Sequence, residues 1–403
     1  MQQHGRAGAS PGAAASAWSR GGRRAPGWPI AAGLALAQLF IASASAGQAG
    51  AARGAGLAPR LPEPVAVFGR DDRVAVPARF KDLQQKIGLL FNRRSRMVCT
   101  AFCVAPNVVA TAGHCLHRTH GEPPPQLADF WFARNYDAER HFERIAGSGN
   151  GAAAQHVMSG TMDLRVRPPI DASRDWALVR LSRPACSRGV LAIRALSSEA
   201  IIAEAAAKHI FQVSYHRDFM PWKLAYSQPC SVARSFETAD WATIARDFAD
   251  PTHLLLHTCD TGGASSGSPL LLETGDGLQV VGINVGTYVQ TKVLMENGQV
   301  TKRLKADAVA NTAVNSSVFA AKLSAFRQAA ILSSPAQIRQ LQTALKEREL
   351  YAGSIDGSYG AALRAAIEAY ERARGIPVTG LASEALLLRL NAEGRRPAAA
   401  RGS

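Results

Sequence analysis

The chain has 403 residues, 47% of them apolar, and a formal net charge of +15. That length holds one large domain and a small one, with enough apolar sequence for a substantial core. The positive balance suits anionic polymers such as cell-wall glycans or lipid head groups, or is simply a solvated basic surface; no nucleic-acid motif accompanies it, so nucleic acid is set aside as a partner.

The first 46 residues read as a signal peptide. Arg20, Arg23 and Arg24 supply a positive start, and Ile30 to Ile41 form an apolar run too short to span a bilayer comfortably. Ala44-Ser45-Ala46 before Gly47 is the small-x-small pattern that signal peptidase accepts. An uncleaved anchor is the alternative. Arg23-Arg24 is only a fragment of a twin-arginine signal, so general secretion is expected. No later segment is apolar enough to cross a membrane, and the mature chain is expected to be secreted or periplasmic without stable membrane insertion. Residues 47–64, rich in Ala, Gly and Pro, read as a linker or propeptide.

From 65 to 328, short β-like runs alternate with Gly, Pro, Asn and Asp. Asn107 to Thr111, Trp176 to Leu181 and Leu278 to Val285 are examples. Many short strands between turn signals predict a mainly β barrel or sandwich. Leu196 to Lys208 reads as a helical surface insertion. Near Ala320 the apolar spacing becomes helical. Ser334-Pro335 marks a helix start, followed by the stripe Ile338, Leu341 and Leu345. A turn over Tyr351 to Gly360 leads to a second helix through Tyr370, and a third covers Ser383 to Leu390. Residues 331–393 thus form a small three-helix domain, and 394–403 a disordered tail. Six cysteines in an exported chain suggest disulfides. The spacing lacks the paired Cys-x-x-Cys knuckle of a zinc site, and neither metal nor cofactor is expected.

Three local sequences carry chemistry: Thr111-Ala112-Gly113-His114-Cys115, Asp175-Trp176-Ala177-Leu178 and Gly263-Ala264-Ser265-Ser266-Gly267-Ser268-Pro269. A serine hydroxyl is a poor nucleophile until an imidazole takes its proton, and that imidazole needs a carboxylate to fix its tautomer. Each motif alone is weak; the order His, Asp, Ser makes them strong together. Gly263-x-Ser265-x-Gly267 also matches the nucleophile elbow of α/β-hydrolases, which would make Ser265 the nucleophile. That fold needs a histidine after the serine, and none follows His257. Asp163 and Asp171 compete with Asp175 by position. Asp175 is preferred because Trp176 to Leu181 reads as the strand that would hold it beneath His114.

These boxes resemble those of trypsin and chymotrypsin, and more closely the bacterial glutamyl-endopeptidase group of the same fold. Thr111 to Cys115 is similar to the family's histidine box, Asp175 to Leu178 to its aspartate box, and Ser266-Gly267-Ser268-Pro269 to that group's nucleophile box. Phe68-Gly69-Arg70-Asp71-Asp72-Arg73 resembles the group's opening Gly-x-Asp-Asp-Arg. The likeness spans about 65 to 290. It implies two six-stranded β-barrels and a serine endopeptidase acting on protein or peptide substrates. His114, Asp175 and Ser266 would be the triad, with an oxyanion hole made by the N–H groups of Ala264 and Ser266. It also implies a Cys99–Cys115 bridge around the histidine loop; Cys230–Cys259, before the nucleophile, is the next pair expected, and Cys103 and Cys186, left by elimination, stay open. The specificity pocket would contain Asp260, Thr261 and Asn284. Asp260 stands where trypsin keeps its pocket carboxylate, whereas Asn284 replaces the histidine on which glutamate preference leans, so basic side chains are weakly favoured.

Two departures matter. Ala264 replaces a family glycine, and a left-handed backbone there would cost about 1–2 kcal/mol; this keeps open a catalytically inactive homologue serving as a wall-binding scaffold. Ser265 replaces the aspartate that pairs with the new N-terminus in trypsin activation, so that switch is not expected.

In the helical domain, Ile338 to Gln342, Tyr351 to Gly357, Ala365 to Tyr370 and Gly375 to Gly380 resemble a peptidoglycan-binding domain, which implies association with the cell wall. A protein partner is the alternative. Gly357 and Gly360 are expected to permit the turn, and Asp356 to cap the following helix. Hydrolysis of peptidoglycan itself would call for zinc or paired carboxylates in a cleft, and neither motif occurs.

Overall fold

In the computed structural model, residues 66–394 are described, apart from 120, 122–124, 137–140, 290–291, 297–298 and 305–307. The expected signal peptide, the linker and the tail beyond Gly394 lie outside the described residues.

The β region forms two curled antiparallel sheets, each with six principal strands. The first comprises β1 (Ile87–Asn92), β2 (Val98–Ala105), β3 (Val108–Thr111), β4 (Phe130–Arg134), β5 (Val157–Ser159) and β6 (Ala177–Arg180), in the spatial order β4-β1-β2-β3-β6-β5. The second comprises β7 (Ile210–Tyr215), β8 (Leu224–Ser227), β9 (Leu254–His257), β10 (Pro269–Thr274), β11 (Gly277–Val289) and β12 (Ala308–Asn315), ordered β8-β7-β10-β11-β12-β9. Two-residue strands extend both: Glu143–Arg144 in the first sheet, and Val74–Ala75, Ala192–Ile193 and Val232–Ala233 in the second. The expected mainly β, double-sheet class is what the chain adopts.

These strands are almost wholly buried. β2 after its first residue, and all of β3 and β7, are closed to solvent; β2 and β3 are mostly apolar, while β7 also buries Gln212 and Ser214. One core joins both sheets, from Leu83, Phe102 and Leu178 to Phe211, Leu256 and Ile283. Helix α1 (Ser198–Ala206) lies within the predicted Leu196–Lys208 segment, and the Ser197 hydroxyl caps it by accepting from the Ala200 N–H at 3.2 Å. It is more than a surface insertion. Ile201 and Ala205 close a second cluster with Leu255, Leu270 and Val281 on the outer face of the second sheet. The disulfides are Cys99–Cys115, Cys103–Cys186 and Cys230–Cys259.

After a short α2 (Trp241–Arg246), α3 (Ser317–Gln328) carries the chain back across the first sheet, with the Phe319 and Trp176 rings 5.8 Å apart. The module that follows contains α4 (Pro335–Lys346), α5 (Ala361–Ala373) and α6 (Glu384–Gly394) around Ile338, Leu341, Leu345, Ile367, Tyr370 and Leu390. Ser334 caps α4 with proline at its first position. Gly357 holds φ +81°, and a Cβ there would come within 2.7 Å of the Pro335 carbonyl, so glycine is required. Gly360 is extended at φ −147° and needs no such freedom. Asp356 does not cap α5. Its Oδ1 accepts from Ser358 N and Gln342 Nε2, each at 2.8 Å, closing the turn onto α4 instead. No helix among the described residues is long and apolar enough to cross a membrane.

Candidate active site

Strand register brings the histidine and aspartate boxes together. β6 lies between β3 and β5, pairing Ala177 with Thr111 on one side and with Ser159 on the other. Asp175 precedes β6 and His114 follows β3, so this register seats them side by side. Asp175 Oδ2 lies 2.7 Å from His114 Nδ1, and Oδ1 accepts the His114 backbone N–H at 2.7 Å. The carboxylate is buried, 3% exposed, while His114 keeps one side toward solvent. A bonded carboxylate of this kind fixes a proton on Nδ1 and leaves Nε2 as the base. Its rivals are placed elsewhere. Asp171 is gripped by Arg165 Nε and Nη2 at 3.0 and 2.9 Å, and Asp163 lies in a two-residue strand beside Arg118–Thr119.

The serine loop is fastened to the same strands. Thr100, next to Cys99, donates its N–H to the Ser266 carbonyl and its hydroxyl to the Ala264 carbonyl, both at 2.8 Å. Thr111 in turn donates to the Thr100 carbonyl at 2.8 Å. Gly267, at φ +84°, leaves no room for a side chain: a Cβ would come within 2.1 Å of Thr111 Oγ1. The two neighbouring serines differ in exposure. Ser265 is buried, its hydroxyl accepting from Asn284 Nδ2 at 3.3 Å and its carbonyl from Ser268; Ser266 is partly exposed. The Ser266 N–H meets no acceptor among the described residues. Ala264 holds the left-handed φ of +81°, so the strain anticipated from its side chain is real. Replacing Ala264 by glycine should raise stability by about 1 kcal/mol, read as a higher urea midpoint, without slowing turnover.

The three residues expected in the pocket all make internal bonds. Asp260 is 2% exposed and its two carboxylate oxygens accept the Phe68 and Asp72 N–H groups, each at 2.9 Å. Burial raises its pKa, with the nearby Asp72 and Asp71 adding to the effect. It anchors the N-terminal segment. Thr261 donates to Asn311 Oδ1 at 3.1 Å, and Asn284 Oδ1 lies 3.1 Å from His257 Nε2.

Sequence reasoning missed a clamp beside the loop. Arg73 is 5% exposed. It donates to both oxygens of Asp71 at 2.9 and 2.8 Å and to Asp218 at 2.7 Å, and lies 3.2 Å from His216 Nδ1. Arg217 N–H then donates to the Gly263 carbonyl at 2.7 Å, and a Cβ on Gly262 would strike Asp218 at 1.9 Å. The signal was present in the Gly-x-Asp-Asp-Arg opening, whose partners lie far along the chain.

His216 and His257 are fully buried. Desolvation lowers the first to about 3, with the Arg73 charge contributing, and the second to about 4. Both are neutral in the folded state, whereas in the unfolded chain they gain protons below about pH 6.5. Their contribution is therefore present above pH 6.5 and lost as pH falls toward 4. The thermal midpoint should drop by roughly 10 °C between pH 7 and pH 4.5, and His257→Gln should shrink that drop.

A trypsin-like peptidase domain model matches residues 99–283. The chain carries a trypsin-like peptidase domain. A peptidoglycan binding domain model matches residues 334–390. Among solved structures, a Glu endopeptidase in complex with MPD is 16% identical, covering 65% of this chain and 99% of its own, with a TM-score of 0.41. Protease Anisep from Arthrobacter nicotinovorans is 14% identical over 57% of this chain and 90% of its own, with a TM-score of 0.36. A thermostable serine protease from an extremophilic microorganism is 17% identical, over 58% and 91%, with a TM-score of 0.36. None of the curated proteins matches.

A groove at Asp175 is lined by Leu164, Ile170, Phe248, Tyr288 and Thr312, among others. β11 pairs with β10 only as far as Ile283, while its partner β12 continues to Val289. On that side Asn284 still bonds Ser268 and Gly267, at 2.9 and 2.7 Å, and β10 does not reach residues 285–287, which share the groove with Asp175.

Proposed function

We propose that the chain is an exported serine endopeptidase with a peptidase domain over 65–328, held at the cell wall by residues 331–393. The observation that carries this is the His114–Asp175 pair, next to a serine loop whose carbonyls are bonded to Thr100. Ser266 is the nucleophile, being the partly exposed serine of the loop. His114 Nε2 takes its proton as Oγ attacks the scissile carbonyl, and passes that proton to the leaving amine as the C–N bond breaks. Water then cleaves the acyl ester, giving its proton to His114 and hence back to Ser266. The N–H groups of Ala264 and Ser266 serve the oxyanion, each worth a few kcal/mol of barrier. Retention of the left-handed turn at Ala264, despite its side chain, supports an active enzyme over a silent scaffold. The substrate lies extended along residues 285–287 of β11 and pairs with that edge as an added strand.

Because Asp260 is spent on the N-terminal segment, the residue before the cleaved bond is not selected by charge. A fluorogenic peptide library should show cleavage that is lost in Ser266→Ala, with Arg and Lys favoured over apolar residues by less than about threefold. A strong preference for basic residues would refute the neutral pocket, and activity retained by the variant would refute the nucleophile. Purified sacculi should retain the intact protein, and passage without retention would remove the wall-docking claim.

A further inference from the structure

The helical module is bonded into the peptidase domain at a point that bears on the acid–base pair. Arg364 of α5 donates from Nη1 to Ser159 Oγ at 3.0 Å and from Nη2 to the Ser159 carbonyl, while Nε is held by Glu368 at 2.8 Å. Ser159 ends β5 and faces Ala177 across the sheet, directly beyond Asp175 and Trp176. Gly160 N–H bonds the Trp176 carbonyl at 3.0 Å. A Cβ on Gly160 would come within 2.2 Å of the Arg174 carbonyl. The turn that Arg364 grips therefore touches both residues flanking Asp175. The same guanidinium also acts on the histidine side: after burial, its charge is the next cause holding His117 down at about 4. His117 N–H bonds the Gly113 carbonyl at 3.0 Å, beneath His114.

The docking has further ties. Lys322 Nζ donates to the Val378 carbonyl at 2.9 Å, and Ser333 Oγ lies 3.2 Å from His156 Nε2. A cavity of about 380 Å³ is left between the two parts, with Trp176, Lys322, Arg364 and Thr379 among its walls.

We infer that Arg364 is a positioning residue for the peptidase reaction, so that the wall-binding module sets the geometry of Asp175 as well as the enzyme's location. This rests on the triad reading above. Arg364 touches no reacting atom. It holds the Ser159-Gly160 turn against the Asp175 peptide, and a small displacement of a catalytic group is enough to slow chemistry by one or two orders of magnitude.

The test uses the full-length chain and a soluble peptide substrate, so that wall docking does not enter. Arg364→Ala should lower kcat about tenfold with KM unchanged within about twofold, because the substrate edge belongs to β11. Arg364→Lys keeps the charge without the two-pronged fork and should recover to within about threefold of wild type. Lys322→Ala loosens the same interface by losing the bond to the Val378 carbonyl, not one to Ser159, and should leave kcat unchanged. Circular dichroism confirms that each variant is folded at the assay temperature. Wild-type kcat in folded Arg364→Ala, or an equal loss in Lys322→Ala, would overturn the inference. Absence of turnover by the wild-type chain would instead sink the peptidase reading on which it rests.

Discussion

Asp175→Asn should lower kcat about ten-thousandfold while leaving KM nearly unchanged. Asp175 makes two bonds, one to His114 Nδ1 and one to the His114 backbone N–H, each 2.7 Å long. An asparagine supplies one acceptor and one donor in the same space. With its oxygen on the backbone N–H, the amide NH₂ faces Nδ1 and stabilises the tautomer protonated on Nε2, which is the wrong nitrogen for a base. The fold should survive, because the side chain stays the same size and one bond is kept. Progress curves with a peptide ester and a thermal melt on the same sample check both parts. A loss of less than about a hundredfold would show that Asp175 does not orient the base.

Arg73→Ala should destabilise the peptidase domain by about 3 kcal/mol and lower activity with it. The guanidinium is closed to solvent and neutralises Asp71 and Asp218 while donating to His216. Desolvation works against its charge, but the bonds to Asp71 and Asp218 outweigh that and raise its pKa. Removing it leaves two carboxylates facing each other across a vacated space, directly behind Gly262 and the serine loop. Arg73→Lys should recover only part of the loss, since an ammonium cannot serve Asp71, Asp218 and His216 together in a planar fork. The urea midpoint of each variant measures the effect, and a change below about 0.5 kcal/mol would mean that the clamp is dispensable.

What could be read from the sequence follows how locally each feature is encoded. The run Val108 to Thr111 before His114 and the run Ala177 to Arg180 after Asp175 are strands in their own right, so the histidine and aspartate boxes could be assigned from neighbours alone. The start of α4 was equally local, written in Ser334-Pro335. The lack of a later histidine set aside the elbow at Ser265, and the preference for Ser266 rests on the resemblance of Ser266-Gly267-Ser268-Pro269 to a known nucleophile box. What stayed hidden concerns residues whose partners are remote. Nothing near Asp260 shows that Phe68 and Asp72, some 190 positions earlier, donate to its oxygens. Asp356 was taken for a cap because its partner Gln342 sits on the preceding helix. The grip of Arg364 on Ser159 spans 205 positions and no periodicity announces it. Ala264 falls between these cases. Its position suggested a left-handed residue, and only the backbone shows that the turn is kept at the expense of strain.

The most direct test of the account is labelling of the folded, full-length protein with a fluorophosphonate, which reacts only with a serine made nucleophilic by its surroundings. Labelling should be stoichiometric at Ser266, abolished in Ser266→Ala and retained in Ser265→Ala. Absence of labelling in the wild-type chain, or adduct mapped by mass spectrometry to another serine, would contradict it.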